Sequence, residues 1–280
     1  MKISVSSYSF YQYVRDGRLT LEDCLAKAHG MGFEAMEFID LPGDTQEERC
    51  ALAKRLRAKA DELGMTVNAY TVGANLFGDS EEANDAEVER LCRQLDVAKI
   101  LGASVMRHDV CYRLGKTGAA RSFDLMLPTI AKNARRVTEY GASLGIRTCS
   151  ENHGFIAQDS DRVERLFNAV AHDNYGILVD VGNFLCVDED PIQAVSRLAP
   201  YAIHVHVKDF KYNDTKTGIQ TRGCRYISGT AVGEGVVPVG QCLAILARAG
   251  YDGFVSIEYE GADDCIEGIA RGLSTLRGIL

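Results

Sequence analysis

Ala202-Ile-His-Val-His-Val-Lys-Asp-Phe210 alternates apolar and ionisable side chains with a period of two. That period belongs to a strand, with His204, His206 and Lys208 on one face and Ile203, Val205 and Val207 on the other. An apolar face turned out toward covering helices and an ionisable face turned inward describe the mouth of a site better than a plain core. Three further strand-like runs each finish in a carboxylate: Arg147-Thr-Cys-Ser-Glu151, Ile177-Leu-Val-Asp180 and Phe254-Val-Ser-Ile-Glu258.

Around these runs one unit recurs: an amphipathic stretch, a glycine, then a short run rich in Val, Ile or Ala. Gly32 precedes Glu34–Phe38, Gly64 precedes Thr66–Tyr70, Gly102 precedes Ser104–Arg107, Gly145 precedes Arg147–Glu151, and Gly250 precedes Phe254–Glu258. A glycine just past a helix accepts the left-handed conformation that closes the last turn, so each marks a helix-to-strand corner. Helix starts are marked by an oxygen-bearing cap with an acid three residues on: Thr20 with Asp23, Thr45 with Glu48, Asp161 with Glu164, Asp264 with Glu267. Asp190-Pro191 adds a cap with proline at the first helical position.

Adding Ile3–Ser6, Tyr175–Asp180 and Ala202–Val207 gives eight strands, each followed by a helix. The helices are expected near Thr20–Met31, Thr45–Leu63, Ser80–Leu101, Ser122–Leu144, Asp161–Val170, Pro191–Leu198, Val239–Ala249 and Asp264–Leu280. Strict alternation favours parallel pairing, and the predicted architecture is a single (β/α)8 barrel over residues 1–280. A doubly wound open sheet would need a glycine-rich phosphate turn after the first strand, where this chain has Ser6-Ser-Tyr-Ser-Phe-Tyr11. The long connection Lys208–Pro238, which holds Arg222, Arg225 and Gly233-Glu-Gly235, is read as a lid or binding loop.

Composition narrows the class. A formal charge of −8 and the lack of a long basic run argue against a nucleic-acid partner. No apolar run approaches the ~20 residues that span a bilayer. Nine cysteines, an odd number without a C-x-x-C pair, suit reduced thiols and a cytoplasmic location. The expected partner is a small soluble substrate, with a second copy of the chain possible as well.

Barrel sites form at the C-terminal strand ends, so Glu151, Asp180, His206 and Glu258 should converge there. Three carboxylates and an imidazole suit one divalent cation, with Mn2+ placed first and Mg2+, Co2+ or Zn2+ as alternatives. Without a cation three such anions repel one another. Glu260 shares the parity of Glu258 and is its rival. His204, one layer deeper, reads as a core histidine. Lys208, Arg107, His153 and Asn183 are candidates for orienting substrate or for buried pairing. Glu37 and Tyr70, at the ends of strands two and three, are expected to line the pocket, with a purely structural role as the alternative for either. Arg222 and Arg225 are candidates for receiving an anionic group such as phosphate, or are solvated loop charges.

Taken together, Glu151-Asn-His-Gly154, Asp180-Val-Gly-Asn-Phe184, His204-Val-His-Val-Lys-Asp209, Gly233-Glu-Gly235 and Gly250-Tyr-Asp-Gly-Phe-Val-Ser-Ile-Glu258 resemble the sugar phosphate isomerase/epimerase superfamily of xylose isomerase-like TIM barrels. The resemblance covers the layout of the chain, with its specific motifs in the C-terminal half. It implies one divalent metal ion on Glu151, Asp180, His206 and Glu258, with the two glutamates as the acid/base pair on opposite faces of a sugar. Ketose 3-epimerases of the family carry a histidine where this chain has Asn183, and Lys208-Asp209 is more similar to inosose-dehydratase-like members. The family's AP endonucleases use a three-zinc cluster with several histidines from early strands, where this chain offers only His108. The expected activity is isomerisation or epimerisation of a sugar or sugar phosphate, by proton abstraction next to a carbonyl through a metal-stabilised enediolate. A lyase or dehydratase working from the same intermediate is the alternative, ahead of a catalytically silent barrel.

Overall fold

In the computed structural model, which describes residues 1–280, eight strands pair in parallel around a closed ring. They are β1 (Lys2–Ser6), β2 (Ala35–Ile39), β3 (Thr66–Val72), β4 (Val105–His108), β5 (Arg147–Glu151), β6 (Tyr175–Asp180), β7 (Ala202–Val207) and β11 (Phe254–Ile257). Their order around the ring is β1-β11-β7-β6-β5-β4-β3-β2. Outside lie α1 (Tyr11–Arg15), α2 (Leu21–Met31), α3 (Gln46–Leu63), α4 (Glu81–Leu101), α5 (Phe123–Leu144), α6 (Ser160–Val170), α7 (Pro191–Leu198), α8 (Val239–Arg248) and α9 (Cys265–Ile279). None of the helices is long and apolar enough to cross a membrane.

The corner glycines do what their positions require: Gly32, Gly64, Gly102 and Gly145 cap α2 to α5 with φ of 89°, 67°, 76° and 73°. Thr20 and Thr45 close full capping boxes with Asp23 and Glu48. The expected box at Asp161 is corrected. α6 starts earlier, capped by Asp159, whose side chain accepts from the Arg162 amide at 3.1 Å, while Asp161 pairs with Arg165 at 3.3 Å.

The long connection is folded rather than loose. β8 (Asp209–Tyr212), β9 (Ile219–Gln220) and β10 (Tyr226–Thr230) form an antiparallel sheet in the order β8-β10-β9. Asp209 staples its return, accepting from the amides of Gly233 and Gly235, both at 2.9 Å, and of Val237 at 3.0 Å. A Cβ at position 235 would stand 2.3 Å from the Phe210 carbonyl oxygen, so the turn needs glycine there.

The larger apolar core lies between barrel and helices, while the barrel interior is divided in character. On the β3 to β6 side Ala69, Val105, Cys149 and Leu178 pack together. On the β1, β11 and β7 side stand Ser4, Ser256 and His204, with Ser4 Oγ and Ser256 Oγ 2.5 Å apart. Polar groups held in the interior need fixed partners, and here they stack upward toward the site.

Candidate metal centre

Glu151, Asp180, His206 and Glu258 come from the ends of β5, β6, β7 and β11, four consecutive strands of the ring. One donor atom from each lies within 4.8 Å of all the others. His206 Nδ1 stands 3.8 Å from Glu151 Oε1, 3.9 Å from Asp180 Oδ2 and 3.6 Å from Glu258 Oε1. Parallel pairing fixes the outer register, since Val207 opposes Ile257 and the amide of Glu258 donates to the Val207 carbonyl at 2.9 Å.

Each ligand candidate is held from behind. Asp180 Oδ1 accepts from the amides of Gly182 and Asn183 at 2.8 and 3.0 Å. Gly182 is required there because a Cβ would meet the Lys208 carbonyl oxygen at 2.8 Å. Glu151 Oε1 accepts from Asn183 Nδ2 at 2.8 Å, and its Oε2 stands 2.6 Å from Arg107 Nη2. Asp180 Oδ2 and His206 Nδ1 are buried, turned to the cluster, and have no hydrogen-bond partner. An imidazole nitrogen without a hydrogen-bond partner and a carboxylate oxygen matched only by the Lys208 ammonium at 3.1 Å, set against the carboxylates of Glu151 and Glu258, are costly unless a further cation completes them.

The charge balance makes the same demand. Burial pushes the Asp180 carboxyl up to about 7 despite the neighbouring ammonium of Lys208. Burial works against a charged His206, yet Glu37 and Glu258 prevail and push its imidazole up to about 10. Glu151 is the exception: burial would raise it, but Arg107 holds its carboxyl below the usual range. The cluster draws protons and an ammonium toward itself, as a set of anionic donors does when its charge is completed by a dication. The oxygen-rich donor set therefore fits a divalent ion.

Lys208 lies beside the four, 3.1 Å from Asp180 Oδ2, against Glu258 Oε2, and 2.9 Å from Glu260 Oε1. Glu260 joins the cavity wall but not the four-donor set. Above the cluster opens a cavity of about 340 Å3 with only two apolar residues among its thirteen lining positions. Arg107, Glu151, His153, His206, Lys208 and Glu258 line it, as sequence reasoning proposed. His153 Nδ1 donates to Asp109 Oδ1 at 2.8 Å, and the same oxygen accepts from Arg107 at 2.7 Å. Asn183 is buried behind Glu151 and is absent from the cavity wall.

Two expectations are corrected. Tyr70 does not line the pocket: its hydroxyl donates to Gln94 Oε1 at 2.7 Å and accepts from the Leu41 amide at 3.1 Å, between β3 and the helices. The cause is a β-bulge. Met36 opposes Val67, but Phe38 opposes Tyr70, so β3 carries one extra residue and its later side chains change face. Thr71 takes the inward place. Glu37 does point inward, but it is fully buried beneath His206, below the reach of the cavity. Arg222 and Arg225 also lie away from the site, paired with Asp159 and Asp188. Tyr8, Ile39, Asp40, Thr71, Gly73 and Asp109 complete the wall and were missed. Only Asp109 carried a signal, by sharing the parity of Arg107.

Replacing Tyr70 by phenylalanine is expected to cost about 1–3 kcal/mol of stability in urea unfolding, because buried partners lose their hydrogen bonds. Metal affinity should not move. An altered affinity at unchanged stability would return Tyr70 to the site.

The profile of the xylose isomerase-like TIM barrel family matches residues 25–279. The chain belongs to this family. Among curated relatives, the rhizopine catabolism protein MocC of Rhizobium meliloti is 26% identical over 261 residues, covering 87% of this chain and 76% of that one. A putative hydroxypyruvate isomerase of Streptomyces coelicolor is 27% identical over 256 residues, 85% of each chain. The inosose dehydratase of Clostridium botulinum matches at 23% over 138 residues, about half of each chain, at 47% and 46%. D-psicose 3-epimerase of Clostridium cellulolyticum, solved with D-tagatose, superposes with a TM-score of 0.78 at 16% identity, covering 100% and 99% of the chains. The IOLI protein, solved with a zinc atom, gives 0.77 at 15% identity, covering 100% and 98%. Relatives of this chain are isomerases, epimerases and dehydratases, and some bind a divalent metal.

Proposed function

We propose that this protein is a divalent-metal-dependent isomerase or epimerase of an unphosphorylated keto-sugar, working by proton transfer at the carbon beside the carbonyl. The observation that carries the reading is the placement of Glu151 and Glu258 on the outer two of four consecutive strands, with Asp180 and His206 between them. Two carboxylates approaching one cavity from separate strands can remove a proton on one face and return one on the other.

When bound to Glu151, Asp180, His206 and Glu258, a divalent ion, Mn2+ in the first instance, supplies Lewis-acid polarisation of the substrate's oxygens. The side chains do the rest. Arg107 and Asn183 keep Glu151 anionic and aimed, which suits a base. Glu258 is the more open of the pair, its side chain 12% exposed against 4% for Glu151, so it is the better placed to exchange a proton with solvent, and Lys208 holds it in place. Lys208 and His153 orient hydroxyl oxygens from the two sides of the wall.

An unphosphorylated substrate follows from charge. Asp40, Asp109, Glu151, Glu258 and Glu260 line the cavity against Arg107 and Lys208, and both cations already face carboxylates. A phosphate would meet a negative wall, whereas neutral hydroxyls find acceptors throughout it.

A dehydratase is the second reading, favoured by Lys208 Nζ between Glu258 and Glu260, an ammonium placed to hydrogen-bond a leaving hydroxyl beside carboxyl groups that can carry its proton. Incubating Mn2+-loaded protein with keto-sugars and keto-inositols in deuterated water separates the two by NMR. Solvent deuterium at an inverted or isomerised carbon is the expected result. Loss of water selects the dehydratase, and no exchange with any substrate overturns proton abstraction altogether.

A further inference from the structure

Beneath His206 lies a carboxylate that no substrate can touch. Glu37 crosses the barrel interior from β2, is 0% exposed, and ends between two imidazoles of β7. His204 Nε2 donates to its Oε2 at 2.6 Å, and His206 Nε2 stands 2.8 Å from its Oε1. The His206 contact is an ion pair off the line of a strong hydrogen bond. Ser256 Oγ reaches His204 Nε2 at 3.4 Å, and Ser4 and Asn68 continue the polar column toward the barrel floor.

Burying a carboxylate this completely costs several kcal/mol unless partners compensate, so its retention in a barrel interior calls for a reason. Two were weighed. Glu37, His204 and His206 form a group of donor atoms close enough to hold an ion of their own. Direct contacts of 2.6 and 2.8 Å between carboxylate and imidazoles, however, leave no room for an ion between them. The other reason concerns orientation. A histidine that binds a metal through one ring nitrogen is fixed, in tautomer and in angle, by whatever holds the other. Here Nδ1 of His206 faces the four-donor cluster, and Glu37 faces Nε2.

We infer that Glu37 is a positioning residue of the metal centre: it anchors His206 through Nε2, keeping Nδ1 free and turned to the ion, and is itself anchored by His204. The inference rests on the metal-binding reading of Glu151, Asp180, His206 and Glu258. Glu37 thus links β2 to the cluster across the barrel, and the polar column below it serves to hold it still.

The test uses full-length protein stripped of metal and titrated with Mn2+ by calorimetry and with Co2+ by visible absorption. It compares wild type with Glu37→Gln, which removes the charge, and Glu37→Asp, which keeps the charge but withdraws it. Glu37→Gln is expected to bind about 10- to 100-fold more weakly, the usual effect of losing such a partner, with an altered Co2+ spectrum. Glu37→Asp should lie between. Both should keep the circular dichroism of the metal-free wild type. Wild-type protein that takes up no metal sinks the metal centre itself, a result distinct from failure of this inference. Unchanged affinity and spectrum in folded Glu37→Gln overturn the inference. So does collapse of both variants, since the carboxylate would then be a condition of the barrel and not of the centre.

Discussion

Replacing Glu258 by glutamine is expected to lower turnover by about three orders of magnitude, within the range for loss of a positioned acid or base. The fold should survive. The Glu258 backbone amide keeps its bond to Val207, and the glutamine carbonyl can still accept from Lys208. What disappears is a group able to take and return a proton, together with one anionic donor of the cluster. Metal content measured on the same sample separates the two losses, because a metal-replete but silent variant reports the proton-transfer role alone. Glu260→Gln is the control. Its carboxylate pairs with Lys208 at 2.9 Å but lies outside the four-donor set, so it should cost only a few-fold. Full turnover in Glu258→Gln alongside a dead Glu260→Gln would exchange the roles of the two glutamates.

The convergence of Glu151, Asp180, His206 and Glu258 was legible because it depends on local signals that repeat. These four strands each carry an ionisable residue at or beside their C-terminal end, most helices end in a glycine or start on a cap, and parallel pairing then brings equivalent ends together. Tyr70 failed for the opposite reason. Which face a late residue of β3 presents depends on a bulge set by pairing with β2, and neither strand's own pattern of side chains reveals it. Depth was also hidden. Glu37 has the inward parity expected of a pocket residue, but two histidines from β7, far away in the sequence, decide that it sits below the cavity. The sheet β8-β10-β9 escaped notice because its strands are short and its anchor, Asp209, acts through backbone amides at positions 233 to 237.

The arrangement also explains why one cluster needs so many cations around it. Arg107 answers Glu151 and Asp109, while Lys208 answers Asp180, Glu258 and Glu260. Neither offers a partner to His206 Nδ1, and Asp180 Oδ2 has only the Lys208 ammonium that it shares with Glu258 and Glu260. A bound dication completes a balance that the side chains leave short.

Removing metal with a chelator is therefore expected to lower the melting temperature markedly, and restoring it should reverse the change. Free ion at a thousand times its dissociation constant adds about 4 kcal/mol to the folded state. For a chain of this size that corresponds to a shift on the order of 8 °C or more. The effect should depend on pH in a definite sense. In the metal-free fold burial pushes the Asp180 carboxyl up to about 7 from an ordinary 3.8. Between those values the folded state holds a proton that the unfolded state has released. This group's contribution to metal-free stability therefore falls as pH rises toward 7. Metal must displace that proton and the one that Glu37 and Glu258 hold on His206, so its affinity should fall as pH falls, more steeply below pH 7, and the melting shift should be smaller at pH 6 than at pH 8. Asp180→Asn isolates the cause. Its carbonyl can still accept from the amides of Gly182 and Asn183, and it no longer buries a charge. The metal-free variant should melt no lower than the metal-free wild type at pH 8, yet gain nothing from added ion. A wild-type melting curve indifferent to chelator and to added Mn2+, Mg2+, Co2+ and Zn2+ at both pH values would leave the four side chains as a buried ionic network with no ion to serve.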